Sequence, residues 1–122
     1  MQRIFRFIAP IILLLAPALS QATELVMVER QGCHYCIEWK TELGPIYPKT
    51  AAGQFAPLRV IDIAKDIPDD LSFARKVVFT PTFILVEDGQ EIGRIEGYPG
   101  EDFFWGLLEM MLKSKTEFGG AT

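Results

Sequence analysis

The 122-residue chain has one histidine, His34, and only two cysteines, Cys33 and Cys36. That scarcity narrows the chemistry. Structural zinc takes four strong ligands, and no fourth stands near this cluster. Covalent haem attachment needs C-x-x-C-H, and Ile37 occupies the position of that histidine. A small secreted domain held together by disulfides carries several bridges. A single pair three residues apart closes a loop too short to remove much entropy from the unfolded chain. Positive charge is also short, with 12 Lys and Arg against 16 Asp and Glu. This balance argues against nucleic acid and against an anionic membrane surface as partners. No apolar run after residue 22 is long enough to cross a bilayer. Neither an internal repeat nor a linker divides the chain.

What is present begins with a leader. "MQRIFRFIAPIILLLAPALSQA" opens with Arg3 and Arg6, continues as an apolar run from Phe7 to Leu19, and ends in small residues. Ser20-Gln21-Ala22 offers a cleavage site before Thr23, and Ala16-Pro17-Ala18 offers a second. The run falls short of the ~20 residues of a spanning helix, and Pro10 and Pro17 interrupt it. No cysteine follows closely enough for a lipid anchor. We therefore expect a signal peptide over residues 1–22, export to the periplasm without a stable membrane anchor, and one domain over 23–122. That domain keeps all 16 acids and 10 of the 12 basic residues, a net charge of −6.

Within the domain, Glu24 to Arg30 reads as a strand, broken by Gln31-Gly32. "CHYCIEWKTEL" is helical in pattern and is stopped by Gly44-Pro45. An irregular stretch follows, with one helical turn near Thr50 to Gln54. Leu58 to Ile63 is a second strand. Asp69 or Asp70 is expected to cap a short helix through Lys76. Thr82 to Glu87 and Glu91 to Glu96 form a hairpin across Asp88-Gly89. Glu101 and Asp102 open a last helix, with Phe103, Phe104, Leu107, Leu108, Met111 and Leu112 as its buried stripe. "KSKTEFGGAT" reads as a frayed tail. The order strand, helix, strand, helix, hairpin, helix defines an α/β fold.

Cys33 falls where the first strand meets the first helix. Free N–H groups and the helix dipole stabilise a thiolate there. Cys36, one turn further in, faces the same side and is the more buried. Cys33 is then the attacking thiolate and Cys36 the resolving thiol of a redox pair. His34 and Tyr35 lie between them and tune the pair. Two thiolates also suit copper(I), so a metal carrier remains open. A second feature favours redox. Thr80-Pro81 stands directly before a strand, as an ordinary turn or as a cis bond. A cis-Pro loop would offer the backbone of the preceding residue to an extended peptide.

The strand, Cys33-His34-Tyr35-Cys36 opening a helix, Thr80-Pro81-Thr82 before a hairpin, and the following Gly97 together resemble the thioredoxin fold. "GCHYC", "APLR", "FTPTF" and "RIEGYPGEDFFW" are similar to the exported thioredoxin-like proteins encoded with bacterial sulfur-oxidation (Sox) genes. The resemblance implies a minimal βαβαββα fold, with a four-stranded mixed sheet flanked by helices. It implies a cis Pro81 beside the cysteines, Thr80 as the substrate-docking residue, and room for a partner at Gly97. It implies a thiol–disulfide oxidoreductase without cofactor that reduces a sulfur-oxidation protein, with the sulfur-carrier protein as candidate. An inner-membrane electron donor would re-reduce it. The opposite direction, an oxidant that introduces disulfides, stays open. The C-x-Y-C core is also similar to that of disulfide isomerases, whose separate dimerisation domain has no space here. Three departures from cytoplasmic thioredoxin stand out: G-C-H-Y-C replaces W-C-G-P-C, an extra N-terminal strand and helix are missing, and Met27 stands where many thioredoxins bury an acid. Glu38 or water is left as the proton shuttle. Tyr98, Trp105 and Trp39 are expected to pack rather than to line the site.

Overall fold

The computed structural model describes residues 7–13 and 22–120. Most of the expected leader lies outside the described residues. Among the described residues, no helix is long and apolar enough to cross a membrane. The elements are β1 (Thr23–Glu29), α1 (His34–Glu42), a 3-10 turn (Tyr47–Lys49), α2 (Ala51–Phe55), β2 (Leu58–Asp62), β3 (Thr82–Glu87), β4 (Gln90–Glu96) and α3 (Glu101–Lys115).

The four strands form one mixed sheet in the order β2-β1-β3-β4. β1 runs parallel to β2 through the α1 crossover and antiparallel to β3, which pairs antiparallel with β4. β1 and β3 are central and covered on both faces, so their sequences read as near-continuous apolar runs. Alternation sorts their side chains. Leu25, Met27, Phe83 and Leu85 enter one cluster with Cys36, Trp39 and Leu43 of α1 and Phe104, Leu108 and Leu112 of α3. Val26, Val28, Ile84 and Val86 enter the other, with Leu71, Phe73 and Val77 of the β2–β3 connection.

That connection corrects the expected helix over Asp69 or Asp70 to Lys76: the chain there is irregular. Its groups have partners elsewhere. Asp70, one of the two expected caps, instead accepts two bonds from Arg59 at 2.7 and 2.8 Å. The Ser72 N–H donates to the Gly89 carbonyl at 2.8 Å, and the Glu91 N–H donates to the Ser72 carbonyl at 3.0 Å. The segment lies along the start of β4 and covers part of an otherwise bare sheet edge. We call it the strap. The helical turn near Thr50 is a short helix, α2, capped by the Thr50 hydroxyl on the Gly53 N–H at 2.9 Å.

Two further expectations change at the C-terminus. Phe103 does not join the stripe of α3. It is 72% exposed, and Leu107 is also exposed, because the inward face is Phe104, Leu108 and Leu112. The tail is not frayed through Phe118. Thr116 closes α3 with its N–H and hydroxyl on the Leu112 carbonyl, and Phe118 packs on Phe55 with ring centroids 5.2 Å apart.

Candidate functional site

Strand register brings the predicted residues to one end of the sheet. β1 ends at Glu29, and four residues later the chain reaches Cys33. Val28, near that end, pairs with Thr82, the first residue of β3. Thr82 pairs in turn with Glu96, the last residue of β4. The cysteine turn, Thr80-Pro81 and Gly97 therefore share one rim. The Thr80–Pro81 bond is cis. The Pro81 carbonyl accepts from the Gly97 N–H at 2.7 Å, which ties the two loops together.

Cys33 is the N-cap of α1, and its Sγ accepts from the Cys36 N–H at 3.2 Å. It is joined to Cys36 by a disulfide. Cys36 is 1% exposed within the apolar cluster, while Cys33 sits at its edge, partly open to solvent. An incoming group can reach Cys33 before Cys36. In the reduced state the same N–H would lie ready to donate to the Cys33 sulfur. The first turn of α1 has no acidic residue to oppose a thiolate.

His34 and Tyr35 both face solvent, with rings edge to face at 5.4 Å. The His34 Nε2 lies 3.6 Å from the Glu38 carboxylate. Met27 is fully buried in the cluster that holds Cys36, so the interior behind the sulfurs is apolar. Among the described residues, no three His, Cys, Asp or Glu side chains gather as a metal-ligand set.

Gly97 has φ +85°, a conformation that disfavours any side chain, and a Cβ built there would meet nothing within 4 Å. Trp39 is fully buried and Trp105 stacks on Tyr47, as packing requires. Tyr98 is buried as well, but it also donates its hydroxyl to Glu42 of α1 at 2.6 Å. Burial, and then this bond to a carboxylate, push its phenol up from the ordinary value. Tyr98 thus links the segment after Gly97 to α1. The sequence reading missed this link, and it also missed Val78 and Phe79. These two lie just before Thr80 and are 63% and 59% exposed. The available signal was the position of an apolar pair beside a loop proline, outside any strand.

A solvent-side sulfur at a helix N-terminus, a buried partner sulfur and an adjoining cis-Pro loop define a thiol–disulfide oxidoreductase of thioredoxin architecture. A model of the thioredoxin-like domain matches residues 18–112, and the chain belongs to that family. The reduced periplasmic thioredoxin SoxS of Paracoccus pantotrophus is similar at 45% identity. The match covers 75% of this chain and 96% of that one, with a TM-score of 0.73. Thioredoxin-2 of the malaria parasite (20% identity, 75% and 85% covered, TM-score 0.55) shares the fold, as does a thioredoxin-fold protein of Helicobacter pylori (18%, 76% and 68%, 0.54). Among curated protein sequences, none matches significantly.

Proposed function

We propose that this protein works in the periplasm, after removal of residues 1–22, as a reductase of a disulfide or blocked cysteine on a sulfur-oxidation protein. The observation that carries the reading is the asymmetry of the pair, with Cys33 partly open to solvent and Cys36 buried behind it. The similarity to a periplasmic thioredoxin SoxS supports the compartment and the pathway. The Cys33 thiolate attacks one sulfur of the partner's disulfide and releases the other as a thiolate. A mixed disulfide now joins Cys33 to the partner. Cys36 loses its proton and attacks the Cys33 sulfur, which frees the partner's second thiolate. Two electrons pass to the partner, and Cys33–Cys36 becomes the disulfide. Thr80 and Pro81 hold the partner's chain extended beside Cys33, Gly97 leaves space for it, and His34 and Tyr35 modulate the pair from the solvent side. A membrane electron donor returns the disulfide to the dithiol.

The test is a trap. With Cys36→Ser in the native periplasm, the mixed disulfide at Cys33 cannot be resolved, and a sulfur-oxidation protein is expected bound to it. A trap that accumulates no mixed disulfide removes the reductase reading. The equilibrium with glutathione gives the direction: a potential near the strongly oxidising end would make the protein a disulfide donor instead.

A further inference from the structure

The strap delivers the chain to Thr80, yet it has no helix to hold its shape. Besides the bonds of Asp70 and Ser72 and a more exposed Arg75–Glu96 pair at 2.8 Å, it is fastened by two buried charged side chains of β4, Glu91 and Arg94. Residues three apart on a regular strand point to opposite faces. Here Arg94 pairs with Ile84 and Glu91 with Val86, leaving Ile92 as the extra residue of a bulge. Ile84 and Val86 both face the strap, so the bulge turns Glu91 and Arg94 to that same side.

The two side chains are 5% and 4% exposed. The Arg94 Nε and Nη2 donate to the two Glu91 oxygens at 2.7 and 2.6 Å, a forked bond. Each also reaches the strap backbone. Glu91 accepts from the Ala74 N–H at 2.9 Å, and Arg94 donates to the Arg75 carbonyl at 2.9 Å. Further on, the Thr82 hydroxyl donates to the Phe79 carbonyl at 2.6 Å. The chain is therefore pinned at Ala74 and Arg75 and again at Phe79.

A buried ion pair adds little net stability over apolar residues of the same size. Apolar residues, however, could not bond the strap's N–H and carbonyl. We infer that Glu91 and Arg94 are positioning residues for the substrate loop. They set where Phe79 and Thr80 stand relative to Cys33, and they govern reaction with protein disulfides without touching the reacting sulfurs. This rests on the reading of Thr80 as the docking residue.

The experiment compares two probes on the reduced full chain: insulin, whose disulfide arrives on a peptide, and dithiobis-nitrobenzoate, a small disulfide with no peptide to dock. Glu91→Gln and Arg94→Met are expected to slow insulin reduction roughly tenfold, while the small probe and the potential against glutathione stay unchanged. Arg94→Lys, which keeps the charge and loses the fork, should restore only part of the rate. Equal slowing on both probes, or no slowing on insulin, overturns the inference. If a single variant fails to fold, the double change Glu91→Leu with Arg94→Met removes both charges together and is read by the same ratio. Thr80→Arg, which sets a long charged side chain on the loop itself, separates the two failures. If it leaves insulin reduction intact, the docking reading falls. If it slows insulin while the Glu91 and Arg94 variants do not, docking stands and the positioning role falls.

Discussion

The two faces of the sheet are built on different principles. On the helical face, Trp39, Phe83 and Phe104 meet with ring centroids 4.8 to 5.5 Å apart, under α1 and α3. That face holds Cys36 in a cluster that is mainly apolar, with the Tyr47 and Tyr98 hydroxyls bonded to Ala56 and Glu42. On the strap face, Phe73 and Val77 of the irregular chain pack beside Val28 and Ile61 of the strands, and these residues line a cleft of about 190 Å³. This face has a smaller apolar cluster, and a forked ion pair with its backbone bonds is added to it. The catalytic pair thus rests on the packed side, and the proposed docking loop rests on the pinned side. A redox site needs fixed sulfurs, while partner recognition tolerates a cover that opens locally.

The largest test of this difference compares aromatic deletions on the two faces. Phe104 is fully buried and touches four other rings, so Phe104→Ala should cost about 3–5 kcal/mol in urea unfolding. Phe73→Ala, at a partly buried strap position, should cost about 1–2 kcal/mol. Equal losses would mean that the strap packs as a second core.

Acid should loosen the strap face selectively. Burial pushes the Glu91 carboxyl up. The fork from Arg94, the Ala74 N–H and the charges of Arg94 and Arg75 outweigh that and hold it below the ordinary range. A carboxyl depressed in the folded state stabilises the protein above its unfolded value, and the contribution fades as pH falls through the folded one. Glu91→Gln should therefore be less stable than the parent at neutral pH, by about 1–3 kcal/mol. The gap should narrow once the pH drops below 4.5, the ordinary value for the group. A gap that is constant from neutral to acid would show that the charge contributes nothing.

A smaller effect is expected where the helical face meets the rim. Tyr98→Phe removes only the hydroxyl bonded to Glu42, a loss of about 1 kcal/mol. Protection from hydrogen exchange should fall at Gly97 and Tyr98 and stay unchanged in the strap, because the bond lies on the α1 side.

The same division explains what could be read from the sequence. Cys33, Cys36 and Pro81 stood out as candidates through local signals, a spacing and a proline, while Thr80 and Gly97 were singled out by the resemblance. The structure brings all five to one rim. The hairpin across Asp88-Gly89 was legible for the same reason, and Asp88 and Gly89 both have positive φ. The strap was not legible. Its partners lie 17 and 19 residues away, and they share a face only because of a bulge that no pattern in β4 announces. Asp70 looked like a helix cap because capping is a local propensity, and Arg59 on β2 overrides it. Local chemistry marks the reacting residues, whereas the geometry that presents them to a partner is tertiary.

The smallest predicted effect falls on Phe103, next to the residue with the largest. Both are phenylalanines in the first turn of α3, and an apolar stripe read from sequence takes in both. A step of one residue turns a helix by about 100°, so only one of the two can face the sheet. Phe104 does, and the acids Glu101 and Asp102 lie in the same first turn as the exposed Phe103. Phe103→Ser should change unfolding free energy by less than about 0.5 kcal/mol. It should also leave the rates on both disulfide probes unaltered, because the change removes surface that the fold does not bury. A loss of stability similar to that of Phe104→Ala would mean that Phe103 is covered in solution, and the helical face would then extend around the outer side of α3.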